Sequence, residues 1–321
     1  MMNQIGGRLP FASVIEEIDA QKKDLPDYLE YLASSSVAAV KPERMIFVGA
    51  GDSLATAEFI ERLMDFEPRS FDPYDLIQNP NVAKDKSVYI ISISGRTKAN
   101  IEAASRISRI AREVVATTAN VESELARVCT RVLPLKFRKS PGLTPGTNSF
   151  TASLLGASSI FGNLPKQLDA AQMIERAKNW VSGISEPSGT IHFVGSGIYY
   201  PVALYGYAKV CEFTGGSADY QLVEEFSHMN LFSMREKDSI FILRDGVHDE
   251  KASILHETLS KSGITSSLLS FEEKYDKIEQ AIFYSIQLQH LALNIALKKG
   301  LIRPAFLDRT DLLRISDKMI Y

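Results

Sequence analysis

The chain has 321 residues, of which 45% are hydrophobic and 23% are charged, and its formal net charge is −3. This composition is typical of a globular protein with enough apolar material for two modest domains. The small negative charge excludes a general basic surface for nucleic acid, and no apolar run approaches the roughly 18 residues that a membrane helix needs. We therefore expect neither nucleic acid nor a membrane among its partners.

The two cysteines, Cys129 and Cys211, form no C-x-x-C pair and have no cluster of metal ligands around them. The N-terminal stretch carries acidic residues and lacks the apolar core of a secretion signal. These features favour a reduced, cytoplasmic protein that uses no metal and no other cofactor.

The first elements are predicted to be helical, because apolar residues recur at helical spacing through about residue 40. The apolar run at 44–48 then ends in the glycines of GAGDS, and the run at 87–91 ends in SISGRT; each leads into a helix. Two more short strands, a Gly/Pro/Thr loop at 140–150 and a small-residue helix follow. Strands that alternate with helices of this length predict parallel βαβ units.

The same pattern restarts after a linking helix. The run FVGSG at 193–197 repeats FVGAG at 47–51, and a second strand ends in RDG at 244–246. Two similar halves indicate a duplicated α/β domain. A last amphipathic helix is predicted at about 281–299, and the tail at 301–321 contains an R-P break.

The strand that ends near residue 91 is followed by three hydroxyl groups around Gly95: Ser92, Ser94 and Thr97. Ligands of parallel sheets bind beyond the carboxyl ends of the strands, where the next helix directs unpaired N–H groups and the positive end of its dipole. Such a loop can bind phosphate without a metal. An N-cap or turn role explains one hydroxyl but not three. Because the second half has Asp245 at the equivalent point, only the first half is expected to bind an anion.

Neither glycine turn completes the dinucleotide fingerprint G-x-G-x-x-G. Leu54 and Tyr200 stand where the third small residue belongs. The P-loop pattern is also missing from both turns. A nucleotide-binding dehydrogenase is therefore the weakest interpretation of this chain.

Four segments carry a resemblance to a known family: FVGAGDS, SISGRT, PGTNSFT and FVGSGIYYPVALYGYAKVCEF, in this order. The chain from about residue 35 to its end resembles the sugar isomerase (SIS) proteins with two SIS domains in tandem. Within that family it is most similar to the isomerase domain of glucosamine-6-phosphate synthase and to SIS-type glucosamine-6-phosphate deaminases. The resemblance implies an α/β fold of two tandem doubly wound parallel-sheet (flavodoxin-like) SIS domains with helices on both faces.

The repeat and the resemblance together divide the chain into five parts. They are an N-terminal helical segment at 1–35, a first, phosphate-binding SIS domain at 36–165, a linker helix at 166–187, a second SIS domain with the catalytic residues at 188–300, and a C-terminal tail at 301–321.

The resemblance implies a set of residues that bind the phosphosugar. Phosphate is expected to be bound by one loop and the first glycine turn: Ser92, Ser94, Gly95, Thr97 and Ser53. Thr147 and Asn148 fall in the segment that borders the sugar. Two positions depart from the family loop, because Ile93 replaces a glutamine and Arg96 replaces a glutamate and adds positive charge.

The resemblance also implies the catalytic residues. Taken alone, Lys209 and Glu212 are three apart on one helix face and could be a surface ion pair worth a few tenths of a kcal/mol. Glu212, however, falls where the family has its catalytic base, and Lys209 where it has a nearby lysine. His228 falls at the ring-opening histidine, which this family takes from the partner subunit, so a homodimer is expected. Glu225 matches a family glutamate with a structural or orienting role.

The C-terminal tail departs from the family. A tail lysine of the synthase reaches the site, and an alignment on Pro304 puts Arg309 at that place, with Lys318 as the other candidate. Arginine keeps the charge but is permanently protonated, so it cannot act as an amine acid or base.

These assignments imply an isomerase and deaminase that converts glucosamine 6-phosphate into fructose 6-phosphate and ammonia. No glutaminase activity is expected, because the chain offers no N-terminal cysteine nucleophile. Two alternatives stay open: a deglycase that acts on a fructosamine 6-phosphate, and a non-catalytic phosphosugar sensor. The presence of Glu212 and His228 argues against the sensor.

Overall fold

The structure is a computed structural model, and it describes residues 10–35, 41–140, 142–246 and 249–321. Residues 1–9 of the predicted helical segment, and the start of the first predicted domain at 36–40, lie outside the described residues.

The α-helices are α1 (Ala12–Ala33), α2 (Asp52–Leu63), α3 (Pro73–Gln78), α4 (Lys98–Ile107), α5 (Glu124–Val128), α6 (Asn148–Ser159), α7 (Ala170–Ser182), α8 (Tyr200–Thr214), α9 (Val223–His228), α10 (Glu250–Lys261), α11 (Lys277–Lys298) and α12 (Thr310–Ile320). The strands are β1 (Met45–Val48), β2 (Arg69–Phe71), β3 (Ser87–Ile91), β4 (Glu113–Thr118), β5 (Arg131–Pro134), β6 (Ile191–Gly195), β7 (Ala218–Leu222), β8 (Ser239–Leu243) and β9 (Thr265–Leu269). Short 3-10 helices cover Pro42–Arg44, Pro80–Ala83, Gly197–Tyr199, Asn230–Ser233 and Ala305–Leu307.

The chain divides into two compact units, each assembled from separate segments. The five-stranded unit comprises Ala20–Arg138, Asn148–Asp169 and Asp311–Tyr321. The four-stranded unit comprises Met1–Asp19, Lys139–Thr147 and Ala170–Thr310. The predicted division of the chain into five consecutive parts stays a prediction.

The five-stranded unit contains a parallel sheet in the order β2-β1-β3-β4-β5. Side chains of its central strands alternate between two buried faces. Ile46, Val88 and their neighbours pack with α3, α4 and α5 on one face, whereas Phe47 stacks on Tyr89 at 5.2 Å on the other. Burial on both faces explains why these strands appear in the sequence as continuous apolar runs.

The four-stranded unit contains a parallel sheet in the order β7-β6-β8-β9. Val194, Ile240 and Ile242 pack with α9 and α10 on one face. On the other face Phe193 stacks on Phe241 at 5.7 Å. The order second-first-third-fourth is common to both sheets, which agrees with the repeat that the sequence predicted.

Most predicted strands and helices are present, whereas several further elements were not predicted, among them β2, β7 and α12. The strands β2 and β7 lie at sheet edges and are only partly buried, so they lack the apolar run that marks a central strand. Helix α12 occupies much of the predicted tail, and its apolar side chains Leu312, Ile315 and Met319 are exposed. None of the helices in the described parts of the chain has the length and apolarity that crossing a membrane requires.

Candidate active site

The hydroxyl loop, residues 92–97, lies at the carboxyl edge of the five-stranded sheet. Strand β3 pairs with β1 in register, Val48 opposite Ile90, so the loop after β3 and the glycine turn after β1 emerge at the same edge. The chain leaves β1 toward β2 and leaves β3 toward β4, on opposite sides. This is the topological switch point of a doubly wound sheet, where such folds bind their ligands.

The backbone of the hydroxyl loop depends on Gly95, whose φ of 64° lies in the left-handed region. A Cβ at this position would lie 2.1 Å from Ser123 Oγ at the start of α5. The backbone N–H of Leu125 donates to the carbonyl of Gly95 at 3.0 Å. The start of α5 therefore packs directly against the loop and fixes its shape.

The hydroxyl groups of the loop are not used to cap α4. Thr97 is the N-cap residue, yet its side chain makes no capping hydrogen bond. Its Oγ1 lies 3.4 Å from Oγ of the buried Ser92, and Oγ of Ser94 accepts the backbone N–H of Arg96 at 3.3 Å. The N-cap explanation therefore fails for Thr97. Ser53 lies in the first turn of α2 and, like Ser94 and Thr97, is half-buried.

In the equivalent turn of the four-stranded unit, a carboxylate lies against the glycine. A Cβ on Gly197 would lie 2.4 Å from Asp245 Oδ2. Burial raises the pKa of Asp245, an effect that Lys277 opposes. A negative group already lies over this glycine turn, which favours the expectation that the second half does not bind an anion.

The predicted base and its lysine lie on α8, which has Pro201 in its first turn and ends at the left-handed Gly215. Lys209 Nζ donates to Glu212 Oε2 at 2.6 Å. Lys209 is fully buried, whereas the Glu212 side chain is 38% exposed. The pair is thus not a surface ion pair: a buried ammonium holds a carboxylate that a ligand can reach.

Sequence reasoning missed a buried acid in the same unit. Glu17 of α1 is only 6% exposed and accepts the hydroxyl of Thr144. Burial raises the pKa of Glu17, while the Thr144 hydrogen bond and the charge of Lys209 lower it. A polar residue inside the buried stripe of α1, between Val14 and Ile18, was the available signal.

The predicted sugar-contacting segment is held by several elements. Within the four-stranded unit, the hydroxyl of Tyr205 donates to the carbonyl of Gly146 at 2.9 Å, and Gln289 Nε2 donates to the carbonyl of Thr147 at 3.3 Å. Within the five-stranded unit, Asn148 Nδ2 donates to Asp24 Oδ2 at 2.7 Å. Thr147 and Asn148 are both fully buried, and their contact with a sugar stays a prediction.

His228 lies at the end of α9 and is 73% exposed, with Nε2 3.6 Å from Glu224 Oε1. The neighbouring Glu225 is also exposed. Arg309 is exposed ahead of α12, and Lys318 is exposed on it. The structure thus brings Lys209 and Glu212 together, whereas the roles of the other four side chains stay predictions. Across the described ranges, no three histidine, cysteine, aspartate or glutamate side chains converge into a metal-binding group.

The fold is shared with solved phosphosugar-processing proteins. A glucosamine-6-phosphate deaminase from Thermotoga maritima is 17% identical, with a TM-score of 0.76 over 90% of this chain and 96% of that chain. The C-terminal domain of glucosamine-fructose-6-phosphate aminotransferase from Francisella tularensis is 18% identical, with a TM-score of 0.69 over 91% and 97% of the two chains. A tagatose-6-phosphate ketose/aldose isomerase from Escherichia coli is 18% identical, with a TM-score of 0.67 over 91% of each chain.

These similarities confirm the predicted α/β class with parallel sheets and helices, and they concern the fold alone. No protein-family model and no curated protein matches the sequence.

Proposed function

We propose that this chain is a SIS-type phosphosugar isomerase and deaminase that converts glucosamine 6-phosphate and water into fructose 6-phosphate and ammonia. The observation that carries the proposal is the pair of Lys209 and Glu212. A carboxylate that is partly exposed yet bonded to a fully buried ammonium at 2.6 Å is suited to take a proton from a bound ligand.

The hydroxyl loop is assigned to the phosphate group of the substrate. Ser94 and Thr97 are half-buried, and the Thr97 hydroxyl is not used in capping. Together with the first backbone N–H groups of α4, these hydroxyls can satisfy the phosphate oxygens without a metal ion.

Glu212 is assigned the proton transfer between C2 and C1 of the open-chain sugar. It removes the C2 proton to give an enolamine and returns a proton at C1, which leaves an imine at C2. Water then hydrolyses the imine to fructose 6-phosphate and ammonia. One carboxylate suffices for a transfer on one face of the substrate, and the positive charge of Lys209 stabilises negative charge that develops nearby.

The reaction is tested with a panel of phosphosugars. We expect ammonia release from glucosamine 6-phosphate by the wild type, and none from glucosamine. Release of an amino acid from a fructosamine 6-phosphate, without ammonia from the amino sugar, would reject the deaminase function in favour of the deglycase function. Tight binding of these compounds without turnover would reject both activities in favour of a phosphosugar sensor.

We further propose that the chain acts as a homodimer in which His228 assists ring opening at the partner's site. The support is local: His228 is 73% exposed, and the apolar side chains of Met229 and Phe232 beside it are 53% and 84% exposed. Exposed apolar groups of this kind are what a contact with a second subunit covers.

Mixing two inactive variants tests the shared site. If His228 is donated across a two-fold dimer, exchange of Glu212→Gln with His228→Gln gives mixed dimers with one intact site each, and about a quarter of the wild-type rate returns. If His228 acts within its own chain, no mixed dimer has an intact site and activity stays lost. A chain that remains monomeric by sedimentation would also contradict the proposal.

A further inference from the structure

His192 is a buried histidine on β6 that the proposed reaction does not use. It is 4% exposed, and its Nδ1 lies 2.8 Å from Asp219 Oδ1 on the neighbouring strand β7. The two residues lie directly opposite each other in the strand pairing. Because a carboxylate can only accept a hydrogen bond, Nδ1 carries the hydrogen and donates it. The strand pairing therefore holds the imidazole ring in one orientation.

Asp219 also binds the segment that follows α9. Its second oxygen, Oδ2, accepts the amide Nδ2 of Asn230 at 3.0 Å. Asn230 begins the 3-10 helix Asn230–Ser233 and lies two residues after His228. Each oxygen of the carboxylate thus has its own donor, and such charge-assisted hydrogen bonds are among the stronger ones. Together the two bonds link His192 to the chain directly after His228.

A second contact joins His192 to the same segment on the other side of His228. Phe226 of α9, two residues before His228, is fully buried, and its ring packs against the His192 ring in a T-shaped arrangement with the centres 6.0 Å apart. His228 itself is 73% exposed, and its ion pair with Glu224 on the same helix face is an exposed one, which contributes little. Both buried contacts that flank His228 therefore lead to His192.

We infer that His192 and Asp219 are positioning residues, which hold the segment around His228 so that its imidazole can assist ring opening. The inference rests on the role proposed for His228. Proton transfer to a sugar oxygen requires the heavy atoms to lie about 3 Å apart, and a displacement of about 1 Å can cost on the order of 10²-fold in rate. Helix α9 has only 6 residues, so its position depends on the contacts that it makes with the sheet.

Asp238 is the other charged group beside His192. Its Oδ2 lies 3.7 Å from His192 Nε2, which is too far for a hydrogen bond, and Nε2 has no hydrogen-bond partner among the described residues. The oxygens of Asp238 accept the backbone N–H groups of Thr190 and Arg235, both at 2.8 Å. Asp238 thus stabilises the turn before β8, whereas the link to Asn230 passes through Nδ1 and Asp219.

The test measures ring opening separately from turnover. In a Glu212→Gln background, in which deamination is expected to stop, NMR follows the exchange between the α and β anomers of glucosamine 6-phosphate. Adding Asn230→Ala should slow the catalysed exchange on the order of tenfold or more, with the Kd of the phosphosugar unchanged. An exchange rate that Asn230→Ala leaves unchanged would overturn the inference.

The matched control is His256→Gln in the same background. His256 Nδ1 lies 2.9 Å from Ser266 Oγ, so this variant removes a histidine hydrogen bond of similar length between α10 and β9. That bond involves neither α9 nor the 3-10 helix after it. We expect the anomer exchange of Glu212→Gln alone to be retained.

The His228→Gln variant separates positioning from general damage to the site. With His228 removed, the catalysed exchange is already slow, and Asn230→Ala should slow it no further if Asn230 acts through His228. A further slowing as large as the one seen with His228 present would mean that Asn230 acts on the site independently. That result would reject the positioning role.

Reversing the two partners tests the hydrogen bond itself. Asn230→Asp alone places two carboxylates against each other and should slow the anomer exchange. Adding Asp219→Asn restores one amide and one carboxylate at this contact, and the new amide oxygen can still accept the hydrogen of His192 Nδ1. We expect the double variant to regain most of the exchange rate. A double variant as slow as Asn230→Asp would show that this bond does not position His228.

Amide hydrogen exchange keeps the inference testable if the wild type neither opens nor deaminates any phosphosugar, an outcome that would reject the proposed function alone. His192→Gln should speed the exchange of the amides at 226–233 on the order of tenfold, and the amides of α11 should serve as an unchanged reference. Equal rates at 226–233 in the variant and the wild type would overturn the inference. If the amides of α11 also exchange faster, the variant has lost its fold, and Asn230→Ala, whose side chain is only half-buried, is measured against the same two outcomes.

Discussion

Glu212→Gln is expected to abolish turnover of glucosamine 6-phosphate and to leave its binding intact. An amide cannot accept the C2 proton, and loss of a positioned general base costs on the order of 10²- to 10⁴-fold in rate. The amide oxygen can still accept a hydrogen bond from Lys209, which lies 2.6 Å from the carboxylate. The rate is measured by ammonia release and the binding by calorimetry on the same preparation.

A matched control exists in the same unit. Lys261 Nζ donates to Glu257 Oε1 on α10 at the same 2.6 Å, but both of these side chains are exposed. Glu257→Gln therefore removes an ion pair of equal length without removing a base, and we expect wild-type rates from it. If Glu212→Gln keeps a tenth or more of the wild-type rate, another group takes the proton and the assignment is wrong.

The folding of Glu212→Gln needs its own measurement. Removing one partner of a buried ion pair leaves an uncompensated charge, which is strongly destabilising in a closed core. Here Glu212 is 38% exposed, and the glutamine oxygen of the variant can still accept a hydrogen bond from the Lys209 ammonium. We expect a lowered thermal midpoint but a folded protein, and unaltered phosphosugar binding is the check on that expectation.

The sequence predicts an element best where its residue pattern is typical of only one kind of structure. A continuous apolar run followed by Gly95 indicates a central parallel strand that enters a turn, and β3 and the hydroxyl loop have that form. The edge strand β7 carries the polar run ADYQL and is only partly buried. Its identity as a strand depends on the neighbouring β6, which lies more than twenty residues earlier in the chain.

The burial of charged residues in the candidate site could not be predicted from the sequence. Glu16 and Glu17 are identical neighbours, yet the first is exposed and the second is buried. Likewise, Lys209 and Glu212 fit a surface pair by their spacing, and only the packing of α8 shows the lysine to be buried. Helical periodicity predicts which side chains share a helix face. Whether that face is buried depends on the elements that pack against it, and these are distant in sequence.

The second large effect is expected from Ser94→Ala combined with Thr97→Ala, which should weaken binding of glucosamine 6-phosphate. Hydrogen bonds to a charged group contribute about 1.5–3 kcal/mol each, so loss of two should raise Kd on the order of 10²-fold or more. Both side chains are half-buried, and neither fills the core. The free energy of unfolding should therefore change little.

The control for this double variant is Ser105→Ala combined with Ser108→Ala on the same stretch of chain. These hydroxyls are exposed and donate to the backbone carbonyls of Ile101 and Ser105, both at 2.9 Å. We expect the affinity for the phosphosugar to be unchanged in this control. An unchanged affinity in the loop variant itself would reject the hydroxyl loop as the phosphate site.

The affinity for the unphosphorylated sugar shows which part of the ligand the loop contacts. If Ser94 and Thr97 bind the phosphate, the double variant should lose affinity for glucosamine 6-phosphate but not for glucosamine, since only the charged group gains from these donors. Equal losses for both ligands would mean that the loop contacts the sugar ring. A loss for glucosamine 6-phosphate alone would indicate an anion site at the switch point, because the backbone N–H groups of α4 and the dipole of that helix favour a negatively charged group. Equal losses would indicate a site that contacts the carbohydrate.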